Sequence, residues 1–260
     1  MFVGYLTPLL LSLTVLVRGQ LQTGFISIDC GSPVNFNFVD VDIGISYTPD
    51  GAYVSTGINN NISSEYAYPN NPNLAYPLSD LRSFPDGNKN CYTLTPAAAK
   101  GSLYLLRASF FNASDVITTE IIGASVSDTI SVCLVNKGLG IPFISALELR
   151  PLNNSIYGTE LGSPVSLVLF QRFDIGYTNG IGRCNDDIYN RIWSPYNSPS
   201  WNIVSTSSEI NSNENGYRAP LEVIRTSAVP HNGSDRLEFS WTTDDDASKF
   251  YVYMYFAEVQ

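Results

Sequence analysis

The sequence predicts an all-β protein made of two consecutive blocks, and three observations support this prediction. Short runs of alternating apolar and polar residues, separated by clusters of Gly, Pro, Asn and Ser, are typical of strands joined by turns. No stretch shows the sustained periodicity of an amphipathic helix. A faint internal repeat, in which Asp42-Ile43-Gly44 resembles Asp174-Ile175-Gly176, indicates two copies of one unit.

The first block is predicted to contain five strands, the last of which runs into its closing segment. They cover residues 24–30, 91–95, 102–111, 117–122 and 129–135. Residues 35–85 are rich in Asn, Pro, Ser and Tyr, so this region is predicted to form long loops over a sheet.

The segment from Val132 to Leu152 is predicted to be a hairpin that closes the first block. Two apolar runs flank a turn containing Gly138 and Gly140, and the second run alternates as a half-buried strand does. Pro151 marks the end of the block, because Pro cannot donate a hydrogen bond to a central ladder.

The second block begins near Leu152 and is predicted to contain five strands. They cover residues 166–173, 201–205, 221–224, 237–241 and 250–259. The last strand is apolar on both faces, as expected inside a sandwich. It ends at Gln260 without a counterpart of the closing hairpin, so we expect the second block to be truncated.

The N-terminus predicts a secretory signal peptide over residues 1–19. The apolar run from Tyr5 to Val17 is too short to span a bilayer, and a cleavage site is expected near Gly19. No later run approaches the ~20 apolar residues of a membrane span. Four Asn-x-Ser/Thr sequons agree with a secretory route, at Asn61, Asn112, Asn153 and Asn232.

Composition argues against several classes of function. The net charge of −10 and the pI near 4.4 disfavour nucleic acid as a partner. Four cysteines without a C-x-x-C pair, beside a single histidine, predict disulfides rather than a metal or cofactor site, and three connectivities remain open. His231 has no nucleophile partner in any motif and no carboxylate pair stands out, so the chain is predicted not to be an enzyme.

The tyrosine-rich loops of the first block are the candidate binding region. Tyr and Asn side chains make amphipathic contacts that suit sugars or peptides. We predict that Tyr47 and Asp50 lie on a ligand-facing loop, with Tyr92 as a third candidate. The same loops carry further aromatic residues, at Tyr53, Tyr66, Tyr68 and Tyr76. The alternative is that many of these rings simply cover the sheet.

Several motifs resemble the plant malectin-like extracellular region of receptor-like kinases, over residues 24–260. They are GFISIDCG (24–31), LRSFPDG (81–87), NCYTL (90–94), LYLLRASF (103–110), VCLVNKGLGIPFISALELRPL (132–152), DDIYNRIW (186–193) and FYVYMYFAEVQ (250–260). The resemblance implies tandem malectin-like β-sandwiches over residues 24–151 and 152–260. It also implies that about two strands are missing after Phe111, so the first sandwich would be incomplete.

The resemblance implies recognition of a cell-wall saccharide or a secreted peptide, with a possible co-receptor. The implied location is the extracellular face of the plasma membrane, or outside the cell if the chain is released. The aromatic loop that stacks on glucose in animal malectin has no counterpart after the LYLLRASF strand. Two alternatives stay open: a truncated soluble decoy or non-functional product, and, less favoured, a glycosidase-like enzyme.

The resemblance also sorts the cysteines. Cys30, Cys91 and Cys133 occupy family-like positions and are the disulfide candidates. Cys184 falls outside the shared pattern and is the expected free thiol.

Overall fold

A computed structural model describes residues 23–97, 100–112, 115–158, 166–177, 180, 182–208, 210–211, 216–243 and 247–256. The predicted signal peptide lies outside these residues. Within them, strands predominate over a single four-residue α-helix, α1 (Leu221–Ile224), and two 3-10 turns, at Asp50–Ala52 and Tyr76–Leu78. The predicted all-β class is confirmed. No helix in the described part of the chain is long and apolar enough to cross a membrane.

Eleven strands are described up to Pro151: β1 (Ile26–Asp29), β2 (Phe38–Asp40), β3 (Ile45–Pro49), β4 (Ile58–Asn61), β5 (Asp80–Ser83), β6 (Lys89–Leu94), β7 (Leu103–Asn112), β8 (Asp115–Ala124), β9 (Ile130–Val135), β10 (Phe143–Ile144) and β11 (Ala146–Pro151). Six more are described after it: β12 (Leu167–Val168), β13 (Phe173–Ile175), β14 (Gly182–Arg183), β15 (Ile192–Tyr196), β16 (Trp201–Ser205) and β17 (Thr226–Pro230).

A seven-stranded sheet in the order β12-β8-β7-β11-β1-β3-β2 organises the first block. Its neighbouring strands are antiparallel except for β1 with β3. Smaller sheets pair β6 with β9 and place β5 between β10 and β4. In the second block β15 lies between β13 and β14, and β16 pairs with β17. Strand β12, beyond the predicted block boundary at residue 151, therefore extends the sheet of the first block.

The two faces of the seven-stranded sheet are covered differently. Alternate residues of a strand point to opposite faces. Tyr104 and Leu106 of β7 pack in a core with Tyr92 and Leu94 of β6, which makes a sandwich. On the other face Leu105 packs in a cluster with residues of the second block. That cluster also contains Ile122, Leu152, Ile156 and Tyr189.

The predicted closing hairpin is wrong. Strand β9 pairs with β6, whereas β10 pairs with β5 and β11 lies between β7 and β1 in the large sheet. The glycine-rich segment around Gly138 and Gly140 therefore connects two different sheets. Strand pairing depends on distant partners, which local turn residues do not identify.

Four of the five predicted strands of the second block differ in the structure. Residues 166–173 contain only β12 and the first residue of β13, which belong to different sheets. The segment 221–224 forms α1, which follows Pro220 in an extended conformation, and the described residues of 237–241 and 250–256 have no strand assignment. Tyr253 and Tyr255 pack their rings on Tyr217, while Phe256 is exposed. Residues 250–256 therefore pack on the second block through one face. Among the described residues, no strand pairs with them in a sheet.

Strands β6 and β9 carry the disulfide. Cys91 and Cys133 are directly opposite each other, with Cα atoms 4.0 Å apart, and are covalently bonded. Cys30, predicted with them as a disulfide candidate, is instead a thiol in the apolar core of the sandwich. Cys184 is also buried and takes no part in this disulfide.

Candidate functional site

A group of aromatic side chains lies at one edge of the first block, where β2 meets the 3-10 turn Tyr76–Leu78. The ring of Tyr76 stacks on Phe38 with centroids 4.4 Å apart, and Phe36 and Tyr68 flank it at 5.6 and 5.9 Å. Phe36 and Tyr68 are 40% and 49% exposed. We call Phe36, Phe38, Tyr68 and Tyr76 the aromatic surface.

Backbone and side-chain hydrogen bonds hold the two segments that carry this surface. The N–H of Phe36 donates to Pro33 in a turn, and β2 then pairs Phe38 with Tyr47 of β3. The N–H of Tyr68 donates to the hydroxyl of Ser79 at 3.1 Å. The N–H of Ser79 in turn donates to the carbonyl of Tyr76, which ends the 3-10 turn. The rings are therefore fixed by a framework beneath them.

An apolar base ties the loop that carries this surface to the large sheet. Leu74 and Leu78 pack with Phe111 of β7 and Ala146 of β11 on the face opposite the sandwich core. Tyr66, exposed beside this base, approaches the ring of Phe111 at 5.8 Å. The end of β7 therefore supports the aromatic loop.

Two carboxyl groups lie close to the aromatic surface. Asp29 is 1% exposed, and burial followed by the charge of Asp80 raises its pKa to about 8. Burial also raises the pKa of Asp80. The pKa of the Tyr76 phenol is raised by burial and then by Asp80 and Asp29. These three groups thus influence one another electrostatically.

The three predicted ligand residues are buried, which corrects the expectation that Tyr47 and Asp50 face a ligand on an exposed loop. Tyr47 donates its hydroxyl to Glu148 at 2.6 Å. Tyr92 donates its hydroxyl to Asp50 at 3.0 Å. The structure thus brings Asp50 and Tyr92 together and places Tyr47 elsewhere. Their direct contact with a ligand stays a prediction.

Asp50 joins three segments of the first block inside the protein. Its carboxylate accepts two hydrogen bonds from Arg82 of β5, at 2.5 and 2.6 Å. It also accepts the N–H of Gly31 after β1 and the hydroxyl of Tyr92 of β6. Charge-assisted bidentate bonds of this kind are strong, so Asp50 has a structural role here.

A buried charge network lies on the large sheet where the second block covers it. Glu148 of β11 accepts hydrogen bonds from Arg107, Arg150 and Arg183 at 2.6 to 3.1 Å. Burial alone would raise the pKa of Glu148, but the positive charges of Arg183, Arg150 and Arg107 outweigh it and hold that pKa well below its usual range. Glu120 similarly binds Arg107 and Arg172.

The DDIYNRIW motif supplies the second-block side of this network. The backbone carbonyl of Asn190 accepts from Arg107 at 2.8 Å, and its side-chain oxygen accepts from Arg183 at 2.6 Å. Within the motif, Asp187 accepts hydrogen bonds from Arg191 and from the indole of Trp193. The motif is therefore an internal scaffold that fastens the second block to the first.

Sequence reasoning missed half of the aromatic surface. Tyr68 and Tyr76 belong to the tyrosine-rich loops singled out above, but Phe36 and Phe38 were not candidates. Their signal was the alternation of Asn and Phe in Asn35-Phe36-Asn37-Phe38, which presents two rings on one side of an extended segment. The four predicted glycosylation asparagines, Asn61, Asn112, Asn153 and Asn232, are all exposed.

The chemistry available at the aromatic surface is that of recognition. Exposed rings offer apolar faces, and exposed amides nearby in sequence, at Asn37, Asn70 and Asn73, offer donors and acceptors. The described residues include no cluster of three or more His, Cys, Asp or Glu that could hold a metal ion. The arrangement fits binding of a polar ligand with apolar faces.

Relatives of known sequence and structure share this fold. The sequence model of the Malectin-like domain matches residues 28–116 and 111–260. A putative leucine-rich repeat receptor-like protein kinase of Arabidopsis thaliana is 37% identical over 94% of this chain and 30% of its own length. A probable LRR receptor-like serine/threonine-protein kinase of the same plant is 36% identical over 100% of this chain and 33% of its own length. The chain thus spans about a third of these relatives.

Two solved structures have a similar fold. The ANX2 ectodomain from Arabidopsis thaliana has a TM-score of 0.61 at 16% identity, covering 78% of this chain and 64% of its own. A structure of the plant peptide RALF23 in complex with FER and LLG2 has a TM-score of 0.59 at 14% identity, with the same coverage. At these identities the likeness concerns the fold alone. Together with the sequence matches, it establishes that this chain belongs to the malectin-like family found in plant receptor-like kinases.

Proposed function

We propose that this chain is an extracellular ligand-recognition module of a receptor-like kinase, and that its aromatic surface contacts the ligand. The observation that supports this is the exposure of Phe36 and Tyr68 beside the stacked pair Phe38 and Tyr76. Exposed rings held by a rigid framework lose little entropy on binding and are typical contact points for ligands.

The ligand proposed is a secreted peptide or a cell-wall saccharide. The peptide class is supported by the fold shared with a complex of RALF23, FER and LLG2, which also suggests a partner protein. The saccharide class is supported by the rings themselves, because aromatic faces pack well against the apolar faces of sugar rings. An extracellular location is supported by the exposed sequons and by the Cys91–Cys133 disulfide, which is typical of an oxidising compartment.

Binding measurements on the whole chain test this proposal. The probes are synthetic RALF23, with and without LLG2, and a mixture of cello- and galacturono-oligosaccharides. Because the two rings are exposed, the double variant Phe36→Ala/Tyr68→Ala should fold normally. We expect it to lose about tenfold in affinity for the probe that binds, equivalent to about 1.4 kcal/mol.

A matched control separates recognition from general surface effects. Tyr251 is an exposed aromatic residue in the second block, and Tyr251→Ala should leave affinity unchanged. Equal losses in both variants would contradict the proposed site. Failure of the unaltered chain to bind any of the probes would contradict the proposed function.

A further inference from the structure

The carboxyl groups of Asp29 and Asp80 lie on segments that are pressed together beside the aromatic surface. Asp29 ends β1 opposite Ala146 of β11, and Asp80 begins β5. Between them, Gly31 has a φ of +94°, and a Cβ at that position would overlap the backbone of Leu81. This close backbone approach, which only glycine permits, brings the end of β1 onto the start of β5.

Asp29 lacks the partners that a buried carboxylate normally has. Neither of its oxygens has a well-formed hydrogen bond among the described residues. The hydroxyl of Ser32 lies close enough to lower the pKa of Asp29, but it makes no well-formed hydrogen bond either. No salt bridge recorded for the described chain involves Asp29 or Asp80. Buried charges are ordinarily paired or neutralised, so Asp29 is best accommodated with a proton.

The groups that face Asp29 are mostly acidic or neutral. Burial is the main cause of its raised pKa, followed by the charge of Asp80, while Ser32 opposes the rise and Asp50 adds to it. The guanidinium of Arg82 forms its salt bridge with Asp50, so it does not neutralise Asp29. The thiol of Cys30 also lies within electrostatic reach of both Asp29 and Asp50. The pKa of the Tyr76 phenol is raised by burial and then by the charges of Asp80 and Asp29.

We propose that Asp29 and Asp80 form a proton-controlled support for the aromatic surface, ordered when Asp29 is protonated and loosened when both carboxyls are ionised. Two negative charges repel each other, and the burial of Asp29 weakens the screening of that repulsion by water. The part that loosens is the segment Tyr76–Leu78 together with its hydrogen bonds to Ser79, since this segment joins Asp80 to the ring of Tyr76. The consequence for binding rests on the function proposed above.

The direction of the pH effect follows from the pKa of Asp29. A carboxyl with a folded-state pKa of about 8, against about 3.9 in an unfolded chain, binds more protons in the ordered state. The stability it contributes is complete below the lower value and is lost as pH rises toward about 8. The aromatic surface is therefore most ordered in acid and loosens in mildly alkaline solution.

Hydrogen exchange measured at pH 6 and pH 9, corrected for intrinsic rates, tests this without any ligand. The reporters are the amides of Leu78 and Ser79, which donate to Ala75 and Tyr76. We expect their protection to fall by about tenfold or more between the two pH values, since linkage allows up to tenfold for each pH unit. The paired amides of Leu103–Asn112 exchange through larger openings, so their fall in protection gives the effect of pH on unfolding as a whole, with which the fall at Leu78 and Ser79 is compared.

Three variants decide the cause. In Asp29→Asn the fall in protection should shrink to about twofold or less. In Asp80→Asn the fall should be smaller than in the unaltered protein but not abolished, because the charge of Asp80 comes after burial among the causes of the raised pKa of Asp29. Asp86→Asn, at an exposed carboxyl, should behave as the unaltered protein. An unchanged protection at Leu78 and Ser79 between pH 6 and 9, a fall in Asp29→Asn as large as in the unaltered protein, or a full fall in Asp80→Asn would overturn the inference. Failure of the probes to bind would instead overturn only the proposed function.

Discussion

Replacing Glu148 by Gln should destabilise the protein strongly, because this residue is the centre of the buried charge network. Its carboxylate accepts from Arg107, Arg150 and Arg183 and from the hydroxyl of Tyr47. The side chains of Arg107 and Arg150 are fully buried. An amide at position 148 would keep the volume but remove the charge and direct its NH2 group at another donor.

The size of the expected loss of stability depends on which hydrogen bonds each arginine keeps when Glu148 is replaced. Arg107 keeps Glu120 and the carbonyl of Asn190, and Arg183 keeps the side chain of Asn190. Arg150 keeps only backbone carbonyls among its well-formed contacts, at 2.9 and 3.2 Å. Breaking a buried ion pair by removing one partner costs about 3–5 kcal/mol. With about 2–4 °C per kcal/mol, we expect the Tm to fall by roughly 10 °C.

Urea unfolding and differential scanning calorimetry at neutral pH measure this loss. Glu65 is an exposed glutamate, so Glu65→Gln is the matched control and should lie within about 0.5 kcal/mol of the unaltered protein. A loss below about 1 kcal/mol for Glu148→Gln, or one equal to the control, would refute the reasoning. It would mean that the network contributes no more than exposed charges do.

Three further outcomes are expected. Gly31→Ala should cost about 3 kcal/mol or more in urea unfolding, because the position has a positive φ and no room for a methyl group. Replacing both Cys91 and Cys133 by Ala should cost up to about 4 kcal/mol, from the 42-residue separation they close, when compared with the oxidised protein. Because the pKa of Glu148 is lowered on folding, stability near pH 5 should decline as pH falls toward 2, and this slope should flatten in Glu148→Gln.

The strands that the sequence predicts well are those whose pattern is local. Residues 201–205 form β16 as predicted, and 102–111 and 129–135 match β7 and β9 within one residue at each end. The alternation of apolar and polar side chains is sufficient to locate these strands in the sequence. The hairpin after β9 failed because the partner of that strand is β6, about 40 residues earlier, and no local pattern identifies a distant partner.

Residues of the candidate site could be predicted from the sequence only where a tyrosine lies in a polar loop and is therefore expected at the surface. Tyr68 and Tyr76 lie in polar loops and do reach the surface region. Tyr47 and Tyr92 have the same residue type but point inward, because Glu148 and Asp50 provide buried partners for their hydroxyls. Such partners are up to 101 residues away in sequence, so a tyrosine of the aromatic surface and one that supports the core look alike in the sequence.

Tyr47 links the aromatic surface to the charge network, because it pairs with Phe38 and donates its hydroxyl to Glu148. Along β7, Leu105, Arg107 and Phe111 lie on one face, running from the second-block cluster through the network to the aromatic base. Arg107 and Phe111 are four residues apart, or about 13 Å at the rise of a strand. Substitutions at residues that share a partner are often not additive in their effects. A ligand-affinity change in a Glu148 variant is therefore corrected for the folded fraction, measured by urea unfolding, before it is compared with the change in a Tyr68 variant.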